Sequence, residues 1–172
     1  MLDAIIKNKE LEVANLKATT DYNIDQFVNN KNNGNIFLSR LKGVSNNGHN
    51  AIIAEIKRQS PSKGVLDPKL NTNTLSRIYE DSGAACISVL TDKKFFGGSI
   101  NDLSLVKSNV SIPVLRKDFI IDEYQLLESK YYGADCVLLI IACLSEKKFQ
   151  SLLELCKVLN LCALVEVHTK EE

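Results

Sequence analysis

Five short apolar segments recur along the chain from residue 51 onwards. They comprise residues 51–57, 85–90, 113–117, 136–141 and 162–167. Runs of this length that are rich in Ile, Val and Leu predict β-strands, and their continuous apolar character predicts burial on both faces. The midpoints of successive segments lie 23 to 34 residues apart. This spacing leaves room for one helix and two short loops between each pair of strands.

The segments between the strands carry helical patterns with start and stop signals. The predicted helices cover residues 73–82 before Gly83, a segment capped by Ser99, residues 122–132 before Gly133, and residues 145–159 before Asn160. Ser and Asp are typical N-caps, and Gly or Asn is typical just after the last helical turn. Alternating strands and helices predict a parallel sheet with helical crossovers. A (β/α)8 barrel and an open doubly wound sheet both satisfy this order.

Charged residues stand at the ends of the first, third and fifth predicted strands. These residues are Glu55, Lys57, Lys117 and Glu166. An ionised group in an apolar run is costly to bury, so such groups usually serve chemistry. Because side chains alternate along a strand, all four can point to one face of the sheet. In a barrel, this face would bring them to the carboxyl-terminal mouth, where barrel enzymes have their active sites.

The turn after the first strand argues against the doubly wound alternative. It reads RQSPSKG over residues 58–64, and no G-x-G-x-x-G or Walker-type loop occurs in the chain. Nucleotide-binding doubly wound sheets need a glycine-rich turn at this place. The barrel is therefore the favoured architecture.

Four segments resemble the indole-3-glycerol-phosphate synthase family. They are AEIKRQSPSKG at residues 54–64, SVLTD with FFGG at residues 88–92 and 95–98, PVLRKDFI at residues 113–120, and LVEVH at residues 164–168. The likeness runs from about Asp3 to the last residue. It implies an α/β fold of the (β/α)8 TIM-barrel type that binds ribulose phosphates, with an N-terminal helical extension.

The resemblance also implies a reaction. Such a carboxy-lyase of tryptophan biosynthesis closes the indole ring of 1-(2-carboxyphenylamino)-1-deoxyribulose 5-phosphate, with loss of carbon dioxide and water. The family needs no metal and no organic cofactor, which agrees with a chain that has no clustered ligand residues in its sequence. Proton transfer and electrostatics would then carry the chemistry.

The family's catalytic residues match the charged positions at the strand ends. The resemblance implies that Lys117 is the general acid that protonates the ketose oxygen, and that Glu166 transfers a proton in the later dehydration. Lys57 would hold the carboxylate or the phosphate of the substrate, and Glu55 would orient these groups. A charged residue near a strand end is most often a solvated residue, but the shared face and the motifs favour the functional interpretation.

Other positions in the same motifs are assigned to substrate binding. Ser60 and Pro61 would belong to a loop over the substrate, although Ser60 could also cap a turn. Phe96 and Phe119 would pack against the aromatic ring of the substrate, although phenylalanine more often belongs to the core.

Four further residues receive no catalytic role. Arg116 and Asp118 have the opposite strand parity and are interpreted as structural residues. His49 and His168 have no partner that the sequence reveals.

Composition limits the partners and the compartment. The 21 basic and 21 acidic residues cancel, and no basic stripe occurs, so we expect a small phosphorylated substrate rather than nucleic acid. The five cysteines are odd in number and lack C-x-x-C spacing, which is typical of buried thiols in a reducing compartment. No apolar run is long enough to span a bilayer. We therefore expect no membrane partner and a cytoplasmic location.

The first 50 residues differ from the rest and are predicted to form a separate helical extension and linker. Its apolar residues follow a helical stripe and two shorter clusters: Leu2, Ile5, Ile6, Val13 and Leu16, then Phe27, then Phe37. Residues 43–50 read as a polar linker. The family resemblance places such helices over the barrel mouth, while padding of the barrel is the alternative. Residues 51–172 form the second unit, a partial barrel.

The length of the chain raises a further expectation. A complete barrel takes about 250 residues, and the sequence supplies five of eight units, with Thr169 and Glu172 resembling the start of another helix. We expect a truncated synthase that is inactive alone and can self-associate through exposed sheet edges. Another phosphosugar isomerase or decarboxylase, or a non-catalytic partial barrel, remains possible from the residues.

Overall fold

The central sheet has five parallel strands, in a computed structural model that describes residues 1–28 and 35–172. In spatial order, they are β1 (Ile53–Ile56), β4 (Cys86–Leu90), β5 (Val114–Lys117), β6 (Cys136–Ile140) and β7 (Cys162–Glu166). Sequential parallel strands at adjacent positions are the order of a β/α barrel and confirm the predicted fold class. The structure adds an antiparallel hairpin that the sequence did not predict, formed by β2 (Gln59–Ser60) and β3 (Gly64–Val65).

Eight α-helices surround these strands in the described part of the chain. They are α1 (Leu2–Thr19), α2 (Asp25–Val28), α3 (Ile36–Asn46), α4 (Thr72–Asp81), α5 (Lys93–Phe96), α6 (Ile100–Asn109), α7 (Glu123–Tyr131) and α8 (Glu146–Val158). A short 3-10 helix covers Ile141–Cys143. None of the helices in the two described ranges combines the length and apolar character needed to cross a membrane.

The ends of the crossover helices lie within two residues of their predicted positions because the local signals are strong. Ser99 accepts the backbone N–H of Asn101, and Asp122 forms a reciprocal capping box with Gln125. Gly83 and Gly133 have φ angles of +87° and +85°. This left-handed backbone stops a helix at little cost only where the residue lacks a Cβ.

Two apolar clusters lie on opposite faces of the sheet. The outer face packs against α4, α6, α7 and α8, with fully buried residues such as Ile87, Leu103, Leu126 and Leu152. On the inner face, Phe37 of α3 packs with Cys86 and Cys136 at the first positions of their strands. The helix α3 therefore covers the amino-terminal ends of the strands, whereas α1 lies at their carboxyl-terminal ends.

Three expectations require correction. The prediction that all five strands are buried on both faces is wrong for β1 and β7, most of whose residues are half-buried or exposed. Both are edge strands of the sheet in the described part of the chain. Leu164 and Val165 of β7 are 37% and 41% exposed as a result.

The polar linker predicted at residues 43–50 is helical as far as Asn46. Thr169 and Glu172 make the predicted hydrogen bond, with the N–H of Glu172 donated to Oγ1 of Thr169, but residues 168–172 are not helical. Residues 29–34 of the predicted extension lie outside the described residues.

Gly98 is the glycine whose replacement we expect to disturb the fold most. A Cβ at this position would lie 2.2 Å from the carbonyl oxygen of Leu90 and 2.7 Å from its carbonyl carbon. Backbone atoms of a central strand cannot move away cheaply, so Gly98→Ala should lower the free energy of unfolding by about 3 kcal/mol. Urea unfolding followed by circular dichroism measures the change. In Gly43→Ala, the new Cβ has no neighbour within 4 Å, and an unchanged or slightly higher stability is expected.

Candidate active site

The parallel sheet brings the predicted charged residues to one edge, where its strands end. Lys117 and Glu166 are the last residues of β5 and β7, Glu55 lies on β1, and Lys57 follows β1 directly. Glu55 is in register with Ser88, and Lys117 with Leu90. These side chains alternate with those that pack against the outer helices. The candidate site therefore lies on the inner face, at the carboxyl ends of the strands.

Glu55 joins the two lysines of this group. Its Oε2 lies 2.6 Å from Nζ of Lys117, and its Oε1 lies 3.1 Å from Nζ of Lys57. Burial by itself raises the pKa of Glu55, but the hydrogen bonds and charges of Lys117 and Lys57 outweigh burial and hold this pKa below its ordinary value. One carboxylate between two ammonium groups leaves a net positive charge, which suits an anionic ligand.

A cavity of about 230 Å³ opens beside this ion-paired group. Its lining includes Lys117, Glu166, Phe96 and Phe119. The rings of Phe96 and Phe119 are 6.1 Å apart between their centroids and tilted by 39°. Lys117 and Glu166 therefore face the same cavity, next to a pair of aromatic rings.

A second cavity of about 400 Å³ shares part of this lining. Phe96, Phe119 and Glu166 line both cavities, and Ser60 and Pro61 line the second one. The first turn of α1 completes its wall, with Met1, Leu2 and Ile5. All of the residues predicted from the motifs thus lie at this edge. Glu55 and Lys57 adjoin the first cavity through the ion pair with Lys117 rather than lining it.

The loop that carries Ser60 and Pro61 is the β2–β3 hairpin. Ser60 accepts the backbone N–H of Lys63 through its Oγ at 3.3 Å, which is the turn-capping role that the sequence left open. Arg58 fixes the base of the hairpin through two hydrogen bonds to the carboxylate of Asp102, of 2.6 and 3.0 Å. No local pattern predicts this pair, because its partners are 44 residues apart.

His168 also lies beside the candidate site, although no role was predicted for it from the sequence. Its Nε2 lies 3.2 Å from Oε1 of Glu166, and its side chain lines the second cavity. Residues 166 and 168 share strand parity, which is the one signal in the sequence that points to this contact.

Arg116 and Asp118 belong to a buried charge network beside the site. Arg116 contacts Asp118 at 3.2 Å and Glu128 at 2.8 Å, and Asp118 also contacts Lys9 of α1 at 2.9 Å. Thr91 donates a hydrogen bond to Asp118 at 2.5 Å. Burial alone lowers the pKa of Lys9, but the charge of Asp118, the hydrogen bond to Glu12 and further acidic contacts raise it above its ordinary value.

The Asp118 carboxyl should make stability depend on pH. Burial raises its pKa, but the charges of Arg116 and Lys9 prevail and lower this pKa below the ordinary value. A lowered pKa adds stability that is complete above the unfolded pKa of about 3.9 and is lost as the pH falls through the folded pKa. We expect Asp118→Asn to lower the free energy of unfolding at pH 7 by about 3–5 kcal/mol, because two buried cations lose a partner.

The same variant should also flatten the loss of stability in acid. Urea unfolding at several pH values between 7 and 3 measures both effects. Asp21→Asn is the control, since Asp21 is exposed and its replacement should leave the profile unchanged. An Asp118→Asn profile parallel to that of the parent chain would contradict the contribution assigned to this carboxyl.

A sequential parallel β/α sheet with lysines and carboxylates at the carboxyl ends of its strands is the arrangement of β/α-barrel enzymes. A family model described as "Indole-3-glycerol phosphate synthase" matches residues 2–172 of the chain. The chain belongs to this family of carboxy-lyases.

Curated proteins with the same description show similar sequences. The chain is 48% identical over 136 residues to the protein of Polaromonas naphthalenivorans strain CJ2, an alignment that covers 79% of this chain and 52% of that protein. It is 42% identical over 174 residues to the protein of Legionella pneumophila strain Lens, covering 100% and 65%. Identity to the Mycolicibacterium vanbaalenii protein is 44% over 172 residues, covering 100% and 62%. The chain thus spans between 52% and 65% of the length of these relatives.

Proposed function

We propose that the chain provides the catalytic half of an indole-3-glycerol-phosphate synthase site. The observation that carries the proposal is the Lys57–Glu55–Lys117 ion-paired group beside a cavity lined by Glu166 and two phenylalanine rings. The substrate would be 1-(2-carboxyphenylamino)-1-deoxyribulose 5-phosphate, which has one aromatic ring and two anionic groups. Each of these parts has a complement among the residues at this edge.

Binding would use the aromatic pair and the lysines. The substrate ring would lie against Phe96 and Phe119, because aromatic rings prefer offset or tilted neighbours at such distances. Lys57 would hold the carboxylate or the phosphate. The hairpin that carries Ser60 and Pro61 would cover the bound molecule and exclude water.

Ring closure would begin with proton transfer from Lys117. Its ammonium would protonate the ketose oxygen while the ring carbon bearing the carboxylate attacks the ketose carbon, so that a carbon–carbon bond forms and the carbonyl becomes a hydroxyl. Loss of carbon dioxide would restore the aromatic ring. The short contact with Glu55 would orient the Lys117 ammonium before this step.

Dehydration would complete the indole. The new hydroxyl would leave as water after protonation, and a proton would be removed from the adjacent position of the ring. Glu166 would serve this proton transfer, since it lines the same cavity as Lys117. The products would be indole glycerol phosphate, carbon dioxide and water, which balance the atoms of the substrate.

A chimera tests the proposal. Residues 1–172 would be joined to the carboxyl-terminal remainder of the Legionella pneumophila strain Lens relative, and indole formation would be followed by fluorescence. We expect turnover of the carboxyphenylamino substrate and none of other phosphorylated ketoses. Turnover of a simple phosphoketose alone would favour the isomerase or decarboxylase alternative. Absence of both activities in a folded chimera would favour a non-catalytic partial barrel.

We also propose a cellular location and a domain organisation for the chain. All five cysteines are free thiols, which supports a reducing compartment such as the cytoplasm. We assign residues 1–50 to a helical extension and residues 51–172 to a partial barrel. The packing of α3 and α1 against opposite ends of the strands supports the view that the extension covers the barrel.

A further inference from the structure

Lys9 of α1 is a buried cation at the boundary between this helix and the sheet. It is 3% exposed, and its Nζ lies 2.9 Å from Oδ1 of Asp118 and 3.1 Å from Oδ2 of Asp92. Glu12, one turn further along α1, lies 2.5 Å from the same nitrogen. Asp92 follows β4 and Asp118 follows β5. A single ammonium group therefore connects the N-terminal helix to two different loops of the candidate site.

Each of these two carboxylates also holds the backbone next to a phenylalanine of the site. Asp118 accepts the N–H of Phe119 through Oδ1 at 2.8 Å. Asp92 is the N-cap of α5 and accepts the N–H of Phe95 through Oδ1 at 2.7 Å, and this one-turn helix carries Phe96. The two rings that face the cavity are thus attached to two loops, and Lys9 connects these loops through its ion pairs with Asp92 and Asp118.

The buried charge of Asp92 has fewer partners than that of Asp118, so its compensation depends more strongly on Lys9. Its side chain is completely buried, and in the described part of the chain its Oδ2 has the ion pair with Lys9 but no hydrogen bond. Asp118 also has Thr91 and Arg116 as partners. Without the ammonium group, a buried carboxylate would stand uncompensated, and the loop that carries it would have to move toward water.

We propose that Lys9 is a positioning residue of the site, which sets the separation and tilt of Phe96 and Phe119 through Asp92 and Asp118. The inference rests on the proposed function and adds to it, because it makes binding of the aromatic part of the substrate depend on a residue of the N-terminal helix. Lys9 does not line either cavity that contains Glu166. Its effect on a ligand therefore passes through the two loops.

Hydrogen exchange followed by mass spectrometry tests the positioning directly in the 172-residue chain. Lys9→Met keeps the length and the apolar stem of the side chain and removes its charge. We expect faster exchange of the amides of Phe95 and Phe119, with unchanged protection in the middle of β4 and β5. A general loss of stability would instead raise exchange throughout the sheet, and that result would overturn the proposal.

Lys17→Met is the matched control. Lys17 lies on the same helix and pairs with Asp122, the N-cap of α7, at 2.8 Å, so its loss removes an ion pair of α1 without touching the two loops. We expect faster exchange at the start of α7 alone. Equal changes at Phe95 and Phe119 in the two variants would also overturn the proposal.

Binding of anthranilate, a fluorescent aromatic carboxylate, gives a second readout. We expect Lys9→Met to raise its dissociation constant about tenfold, because the displaced rings of Phe96 and Phe119 would no longer contact the ligand together, and Lys17→Met to leave it unchanged. If the parent chain does not bind anthranilate, the proposed substrate is contradicted, while the exchange pattern still decides on the positioning role.

Lys9→Arg covers the case in which Lys9→Met does not fold. The guanidinium keeps the charge but is wider than the ammonium group, so the two loops must separate to hold it. Exchange at Phe95 and Phe119 should rise locally in this variant too. Exchange identical to the parent chain at both amides would contradict the proposal.

Discussion

Replacement of Lys117 by alanine in the chimera should lower kcat by about two to four orders of magnitude, the usual contribution of a general acid. The proposed proton donor would be lost, and Glu55 would retain Lys57 as its remaining ion-pair partner. Fluorescence of the indole product gives the rate. Circular dichroism shows whether the variant is folded, so that lost catalysis is separated from lost structure.

Two variants sharpen this experiment. Lys117→Arg keeps the charge, but a guanidinium does not release its proton in a protein, so we expect a rate nearly as low as that of Lys117→Ala. Lys107→Ala removes a lysine that forms an ion pair with Asp135 at 2.5 Å and lines neither cavity of the candidate site, and its kcat should stay unchanged. A nearly normal rate in Lys117→Ala would exclude the acid role.

Residues 1–172 expressed alone should form no detectable product and should self-associate. Strands β1 and β7 each have one unpaired side among the described residues, and exposed strand edges with apolar side chains recruit other chains. The substrate would also lose the phosphate contacts that barrels commonly make after their last two strands. Sedimentation velocity and the fluorescence assay measure the two effects.

A charged edge residue should reduce the association. Val165 of β7 is 41% exposed, and Val158 at the end of α8 is 48% exposed. Val165→Lys should shift the chain toward the monomer because an edge lysine blocks strand addition, whereas Val158→Lys should not. A monomer that forms product at an enzymatic rate without any added segment would contradict both parts of the prediction.

Local signals explain why so much of the sheet could be predicted. Apolar strand segments, helix caps and left-handed glycines each depend on only a few neighbouring residues. The ends of the strands therefore lie within two residues of their predicted positions, and the ends of the helix after Asp122 lie within one. Strand parity separated Lys117 from Arg116, and the structure places the first at the cavity and the second against Glu128. The catalytic roles themselves stay predictions until rates are measured.

The order of the β/α units, the family and the sheet edge that carries the charged residues can all be read from the sequence. Which charged side chains form ion pairs with each other depends on the packing of the whole chain. Lys9 looks like a surface residue of an amphipathic helix, yet its partners Asp92 and Asp118 lie on two distant loops. Exposure of β7 likewise depends on its neighbours in the sheet. Periodicity reports the face on which a side chain lies, but burial and ion pairing depend on what is packed against that face.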